Sequence, residues 1–380
     1  MRKYFLIAIS LLMCCSCVDE FEADLPVSET DILCIEGTIR SDTRCTFHVS
    51  HTVPLDTLVL SQAGLMVIDA QLEVNGSDGQ SWPGMMTGPG SYEVNVGSLS
   101  PDATYWLEVS WRDNTYTSVA QAPLPTPAIE GLSWDLTSDK QKVNIMVSPQ
   151  AAGSQEAQFF RWTYDECWEI HTPLISNYEY LPLSDSIAPI QQQLNVGWVS
   201  HTGSNPIYGS NRNYGNGQIR NLRIYQADPN DDRFNHRYRT SVTQLAISRE
   251  EYEYWDLSAR LSDEMGGLFT PQPSSLPTNI VCQTADLPVI GFVGVSLNAT
   301  TAQLYINSKD VNHHDLRAID ILDSETSKRT PWIDLWNRGW RVYEYFPEFD
   351  PPVTWVARWC IDCTDPVWGA SLVRPDDWED

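Results

Sequence analysis

The sequence predicts a mostly β protein in two parts, with one α-helix inserted in the second. Three observations predict it: apolar residues alternate with polar ones over many short runs, Gly, Asp, Asn and Ser separate those runs, and one capped stretch changes to a helical period. In ILCIEGTIR, Leu33, Ile35 and Ile39 fall on one face of a strand. CTFHVS aligns Cys45, Phe47 and Val49, and TYWLEVSW aligns Tyr105, Leu107, Val109 and Trp111. TYTSVAQ follows the Asp113-Asn114 turn. The run of strands over residues 31–121 has the length of an immunoglobulin-like β-sandwich. The stiff stretch APLPTP (Ala122 to Pro127) marks the boundary, with a Pro-rich linker over residues 122–130.

Residues 131–380 are expected to form a larger β-rich domain. KVNIMVS places Val143, Ile145 and Val147 on one face, and FRWTYDECWEI does the same for Phe160, Trp162, Tyr164, Trp168 and Ile170. RYRTSVTQLAIS is a further strand, and LPVIGFVGVSL reads as a buried one. Between them the Gly/Asn/Ser-rich stretch from His201 to Gly217 reads as a long loop. Ser248 and Glu251 have the spacing of a capping box, so a helix is expected near residues 249–263. Its stripe of Tyr254, Leu257 and Leu261 faces a sheet, and Gly266-Gly267 ends it. An irregular excursion follows from Leu268 to Asn279.

The first residues carry an address. Arg2 and Lys3 precede a ten-residue apolar run, Tyr4 to Met13. As a helix that run spans about 15 Å, roughly half a bilayer core, so it reads as a signal-peptide segment. Cys17 closes it, with the small Ser16 just before. This is the pattern of a bacterial lipobox: residues 1–16 are removed and Cys17 carries the lipid. Cys14 and Cys15 leave with the signal. Several acyl chains anchor durably where one does not. Residues 17–30 then form an acidic tether, beginning Val18, Asp19, Glu20, Phe21, Glu22. It resembles the export signal that sends lipoproteins of Bacteroidetes-type bacteria to the outer face of the outer membrane.

Charge excludes one class of partner. With 24 Lys+Arg against 50 Asp+Glu the formal net charge is −26, which repels nucleic-acid phosphates. No G-x-S-x-G, H-E-x-x-H, phosphate loop or dinucleotide fingerprint occurs, so no catalytic residue, metal or cofactor is expected. RWCIDC (Arg358 to Cys363) has the surface form of a redox motif, but Pro366 and Pro375 break the helix that such a motif needs, and Asp362 and Asp365 oppose a thiolate. A zinc site there would need His313-His314, and adjacent histidines rarely reach one metal. Apart from Cys17, six cysteines remain: Cys34, Cys45, Cys167, Cys282, Cys360 and Cys363. An even number in an exported chain fits a disulfide framework, with Cys360–Cys363 and Cys167–Cys282 as candidate pairs. Cys34 and Cys45 face opposite ways by alternation.

Several stretches, in order, resemble one family: LCIEGTIR, YRTSVTQLAISREEYEYWDL, GGLFTPQPSSLPTN, VIGFVGVS and CIDCTDPVWGASLVRPDDW. They are similar to the domain of unknown function 4249 family, lipoproteins of the Bacteroidetes outer membrane often encoded beside TonB-dependent receptors. Phe292 directly follows Gly291 where the family tends to have Gly-Tyr-Phe, and DPVWGAS stands where a Gly-Gly pair is common. The family brings no catalytic residues. The resemblance implies a non-enzymatic, surface-exposed lipoprotein that serves a TonB-dependent transporter in capture or uptake of a nutrient not specified by the sequence. Candidate contact regions are the His201–Gly217 and Leu268–Asn279 segments. Two other readings stand beside it: an adhesin or scaffold, and an enzyme, either a thiol-disulfide oxidoreductase through Cys360 and Cys363 or a hydrolase.

Overall fold

The computed structural model describes residues 32–52, 65–151, 158–203, 205–215, 217–264, 276–313 and 317–379. Cys17, the signal segment, the acidic tether and residues 268–275 of the expected excursion lie outside them. The alternating runs are strands. First come β1 (Leu33–Arg40), β2 (Thr43–His51), β3 (Gln71–Gly76), β4 (Ser81–Gly88), β5 (Ser91–Val96), β6 (Tyr105–Trp111) and β7 (Asn114–Ser118). Next are β8 (Ile129–Leu136), β9 (Val143–Pro149), β10 (Phe159–His171), β11 (Tyr178–Leu181), β12 (Ser186–Pro189), β13 (Val196–Thr202), β14 (Ile207–Ser210), β15 (Leu222–Ala227) and β16 (Arg237–Ile247). The expected helix follows as α1 (Arg249–Glu264), then β17 (Ile280–Cys282), β18 (Val289–Ser296) and β19 (Thr300–Asn307). The chain ends with α2 (Ser308–Val311), α3 (Ser324–Arg329), α4 (Trp332–Asn337), β20 (Trp340–Tyr345) and β21 (Val353–Ala357).

The residues expected to face inward do so. Leu33, Ile35, Ile39, Phe47, Val49, Tyr105, Leu107 and Val109 are all buried in one apolar cluster. The sheet around that cluster bears out the β-rich build but does not confirm the immunoglobulin-like sandwich expected for residues 31–121. It is one path of nine strands, β17-β7-β6-β3-β4-β5-β2-β1-β18. Strand β4 makes the corner: Ser81 to Pro83 pair with β3, whereas Gly84 onward pairs with β5. Pro83 has no N–H to give to a ladder and Gly84 has no side chain to obstruct a bend, so the strand changes partners there.

Two of the nine strands arrive from far along the chain. Strand β18 pairs in parallel with β1, from Leu33↔Val289 to Arg40↔Ser296. Strand β17 pairs with β7. The first unit is therefore completed only by residues 280–296, so a division at residues 122–130 cuts through it. The two sheet ends meet through side chains: Gln121 Nε2 donates to the Val293 carbonyl and Thr278 Oγ1 to that of Gly291, and Asn279 makes two bonds. Asn279 Oδ1 accepts the Val293 N–H at 3.0 Å, and its Nδ2 donates to the Val293 carbonyl at 2.8 Å. A side-chain amide thus supplies the pair of bonds that a neighbouring strand would supply, and the sheet nearly closes on itself. The expected linker is also tied down: Leu297 N–H donates to the Leu124 carbonyl at 2.8 Å and Thr126 Oγ1 donates to the Asn298 carbonyl at 2.6 Å.

Two-sheet packing does occur, in the second unit. Strand β10 is its spine, with β16 and β19 on one side and β13 and β14 on the other. Across from it lies the sheet β15-β9-β8. Val143, Ile145, Tyr238 and Ile306 fill one part of the space between, and Val147, Phe160, Trp162 and Val242 another. The stretch expected as a loop from His201 to Gly217 contains β14, which continues the ladder along Phe159–Trp162. A smaller aromatic core of Tyr180, Leu335, Val342, Val353 and Trp355 supports the hairpin β20–β21. Among the described residues, no helix is long and apolar enough to cross a membrane.

Candidate functional site

Helix α1 begins as its capping signal predicts, with Ser248 Oγ accepting the Glu251 N–H at 3.0 Å. The other half of a capping box is not made. Glu251 turns its carboxylate inward, where it is 2 % exposed. It fits because Gly294 on β18 has no side chain: a Cβ there would stand about 2.2 Å from Glu251 Oε2. The nearest cation is Arg161 of β10, with Nη1 at 3.9 Å from Oε1. Arg161 also donates to Thr38 Oγ1 at 3.2 Å. One helical turn on, buried Tyr254 donates to Glu36 Oε1 at 2.7 Å. The helix, the rolled sheet and the second unit therefore converge on one polar cluster.

A cleft of about 380 Å³ opens above this cluster. That volume suits a small molecule. Its walls come from β1 and β2 on one side and β10, β14, β16 and α1 on the other. Its charge runs opposite to that of the chain. The whole sequence has about two acids for each base, yet Arg40, Arg44, Arg161 and His48 line the cleft with Glu36 as the single lining carboxylate. Arg44 lies at the rim, 65 % exposed and 3.3 Å from Glu93. Tyr208 and Trp255 supply an aromatic wall, stacked at 5.6 Å with their planes 13° apart.

Burial governs the ionisation of these groups. It pushes the Glu251 carboxyl up to about 7, against the opposing pull of Arg161 and of the Trp255 indole. The Trp255 N–H faces the carboxylate without closing a hydrogen bond of regular geometry. Burial also raises the Tyr208 and Tyr254 hydroxyls, which stay protonated as donors. Together these groups can receive an anion: arginines for its charge, hydroxyls for hydrogen bonds, a flat wall for an apolar face.

The sequence pattern of the domain of unknown function family DUF4249 matches residues 18–302. The chain belongs to that family. The match takes in every residue that lines the cleft and ends before the closing CIDCTDPVWGASLVRPDDW stretch. No curated protein matches the chain.

Among the described residues of this DUF4249 protein the six cysteines are unpaired, so neither candidate pairing is made. Cys282 belongs to the core of the rolled sheet, whereas Cys167 sits on β10 of the second unit. Cys360 packs with Val356 and Ile361, and Cys363 packs in a separate cluster with Ile170 and Trp368, so the two thiols turn away into different cores. Cys45 is in the rolled-sheet core and Cys34 lies half-buried outside it, as alternation requires. Burial raises the thiols: Cys34 to about 12 and Cys363 to about 11, with Asp362 adding to the latter. Cys360 is raised by burial as well. No helix follows Cys363 to reverse this. Instead Asp362 caps a tight turn, accepting from Thr364 N–H at 2.9 Å and from Arg358 Nε at 2.7 Å.

Sequence reasoning missed the cleft. Glu251 carried a signal, but the capping box absorbed it. Arg161 and Glu36 lie on half-exposed strand faces whose alternation says only that they avoid the core. A second buried acid went unnoticed within a stretch read for its aromatics: Glu166 accepts from Arg233 Nη1 and from the Tyr238 hydroxyl, both at 2.7 Å. It is fully partnered and serves structure.

Proposed function

We propose that this chain is a surface lipoprotein of the outer membrane, held through Cys17, that captures an anionic small molecule in the cleft for a TonB-dependent transporter. The observation that carries the reading is the inverted charge of the cleft in a chain of net charge −26. In a chain so acidic, three arginines around one cavity make a local positive field that attracts an anion, although Arg44 and Arg161 each have a carboxylate neighbour. The apolar run ahead of Cys17 and the acidic tether support the anchor, and the family's association with TonB-dependent receptors supports the partner. Thiol–disulfide exchange at Cys360 and Cys363 is the weaker reading, since both thiols are buried and raised.

Two experiments test it. Full-length lipoprotein, tagged and extracted in mild detergent, is captured and its companions read by mass spectrometry. A stoichiometric TonB-dependent receptor is expected, and a lone protein refutes the transporter role. Separately, citrate, inorganic phosphate and galacturonate are titrated against tryptophan fluorescence, with neutral galactose as control. At least one anion is expected to bind, with affinity about ten-fold weaker in Arg161→Ala, the loss of one hydrogen bond to a charged group. Binding of galactose alone, or equal anion affinity in the variant, refutes the capture site.

A further inference from the structure

The geometry points to a divalent transition-metal site formed by Glu169, His171 and His236, at the far end of β10 from the cleft. His171 Nε2 stands 2.7 Å from Glu169 Oε1. The His171 and His236 rings lie face to face, with centroids 3.6 Å apart and planes 10° apart. Each residue offers one ligand atom, and the three atoms lie within 4.8 Å of one another. Among the described residues no other group of His, Cys, Asp or Glu atoms converges in this way.

Two features bring the three residues together, a shared strand face and the end of a ladder. Glu169 and His171 are two apart on β10, so both side chains leave the same face. Glu169 pairs with Arg237 in the last rung of the β10–β16 ladder; His236 precedes β16, and beyond that rung its ring lies over the His171 ring. The backbone is fixed on both sides: His171 N–H donates to Asn235 Oδ1 at 2.8 Å, and the His236 carbonyl accepts from Ser308 N–H at 2.9 Å. Arg237, the nearest cation in sequence, acts on Glu169 and His236 through space, but its guanidinium is engaged elsewhere. Its Nη1 donates to the Glu379 carbonyl at 2.6 Å and its guanidinium lies over Tyr305.

Metal–nitrogen and metal–oxygen bonds to such ligands are about 2.0–2.2 Å, so a tetrahedral ion holds its donor atoms roughly 3.3–3.5 Å apart. To reach that spacing the 2.7 Å contact between Glu169 and His171 opens slightly, the two stacked rings splay so that their in-plane lone pairs converge, and the more distant ligand atoms draw in from at most 4.8 Å. Two imidazoles and one carboxylate suit zinc, nickel or copper, whereas calcium and magnesium want oxygen alone. Three protein ligands leave a fourth position for water or an exogenous donor. The site lies apart from the cleft residues, so it stands or falls independently of anion capture.

The test uses the full-length protein in mild detergent, stripped with a chelator and titrated with zinc chloride by calorimetry, with metal content measured after desalting. One zinc per chain is expected. His236→Ala and Glu169→Gln should each weaken it more than about ten-fold, since loss of even an outer-shell partner costs 10–100-fold. His236 is exposed, so its replacement leaves the fold intact. His48→Ala, in the cleft, should bind zinc as the unaltered chain does. Absence of zinc binding, equal affinity in both site variants, or calcium bound as tightly as zinc would overturn the assignment.

Discussion

Glu251 gives the sharpest prediction about the junction. Its carboxyl is buried and raised from an ordinary 4.5 to about 7. Below pH 4.5 it is neutral in both the folded and the unfolded chain and has no effect on their balance. As pH rises the unfolded chain releases its proton near 4.5, while the folded chain keeps it until about 7. Stability therefore falls across that window and stays lowered above it. The 2.5 pH units between 4.5 and about 7, at 1.36 kcal/mol each, amount to about 3 kcal/mol. Glu251→Gln keeps the shape and never ionises, so it should lack this fall. The assay is urea denaturation of both proteins at several values between pH 4.5 and 8. The variant should match the wild type at the acid end and exceed it by about 3 kcal/mol at pH 8. At about 3 kcal/mol per molar urea for a chain of this size, that is a midpoint shift of about 1 M. Glu250→Gln, one residue away and exposed, is the control and should leave the pH profile unchanged. Parallel profiles for wild type and Glu251→Gln would refute the reasoning, because they would mean that the buried carboxylate ionises without cost.

Three other outcomes are expected. Gly294→Ala should destabilise by about 1–3 kcal/mol through overpacking against Glu251, and Glu251→Ala in the same chain should relieve most of that loss; additive losses would show that the two do not compete for space. Asn279→Ala removes both bonds to Val293 and should lower stability by about 1–3 kcal/mol, read as a lower denaturation midpoint and faster amide exchange at Val293. The folded protein at pH 8 should leave Cys360 and Cys363 unreacted with a chromogenic disulfide reagent until it is unfolded; a rapid burst from that pair would restore the redox reading.

Legibility in the sequence followed the range of the interactions. Alternation is local, and it located β1, β2, β6, β9 and β10 together with the side chains that fill their cores. The helix start was local too, carried by Ser248. What sequence could not supply was pairing across long separations. VIGFVGVS reads as a strand covered on both faces, and β18 is nearly all buried, but nothing in it says that its partner is β1, some 250 residues earlier. That partnership, with β17 on β7, is what carries residues 280–296 into the sheet of the first unit. The same limit hid the histidine pair. Glu169-x-His171 is a visible two-residue spacing, but His236 joins it only where the β10–β16 ladder ends, some 65 residues further along the chain. The cysteine count suggested disulfides because export favours them. The packing of Cys360 and Cys363 into two different apolar clusters is a tertiary fact with no local mark.

The long-range pairing also explains why the cleft lies where it does. The chain leaves the rolled sheet near Leu124, builds β8 to β16, then passes through α1 before returning as β17 and β18. Helix α1 is thus the return path, and it crosses the junction with both units in reach. Its Tyr254 bonds to Glu36 of β1, its Glu251 rests against Gly294 of β18, and the same glutamate faces Arg161 of β10. Three connections join the units, two running outward side by side at Leu124–Thr126 and Ser296–Asn298 and one back through α1, and together they restrict how the units can separate. A ligand that takes Arg161 from Glu251 leaves the acid with less to hold its charge, so the carboxyl moves further toward its neutral form. Anion binding in the cleft should then be accompanied by proton uptake near neutral pH and should strengthen as pH falls toward 6. Calorimetric titration of the binding anion in buffers of different ionisation enthalpy measures that uptake, and Glu251→Gln should abolish it. A proton count unchanged by the substitution would mean that the helix, although it forms the floor of the cleft, takes no part in recognising what enters it.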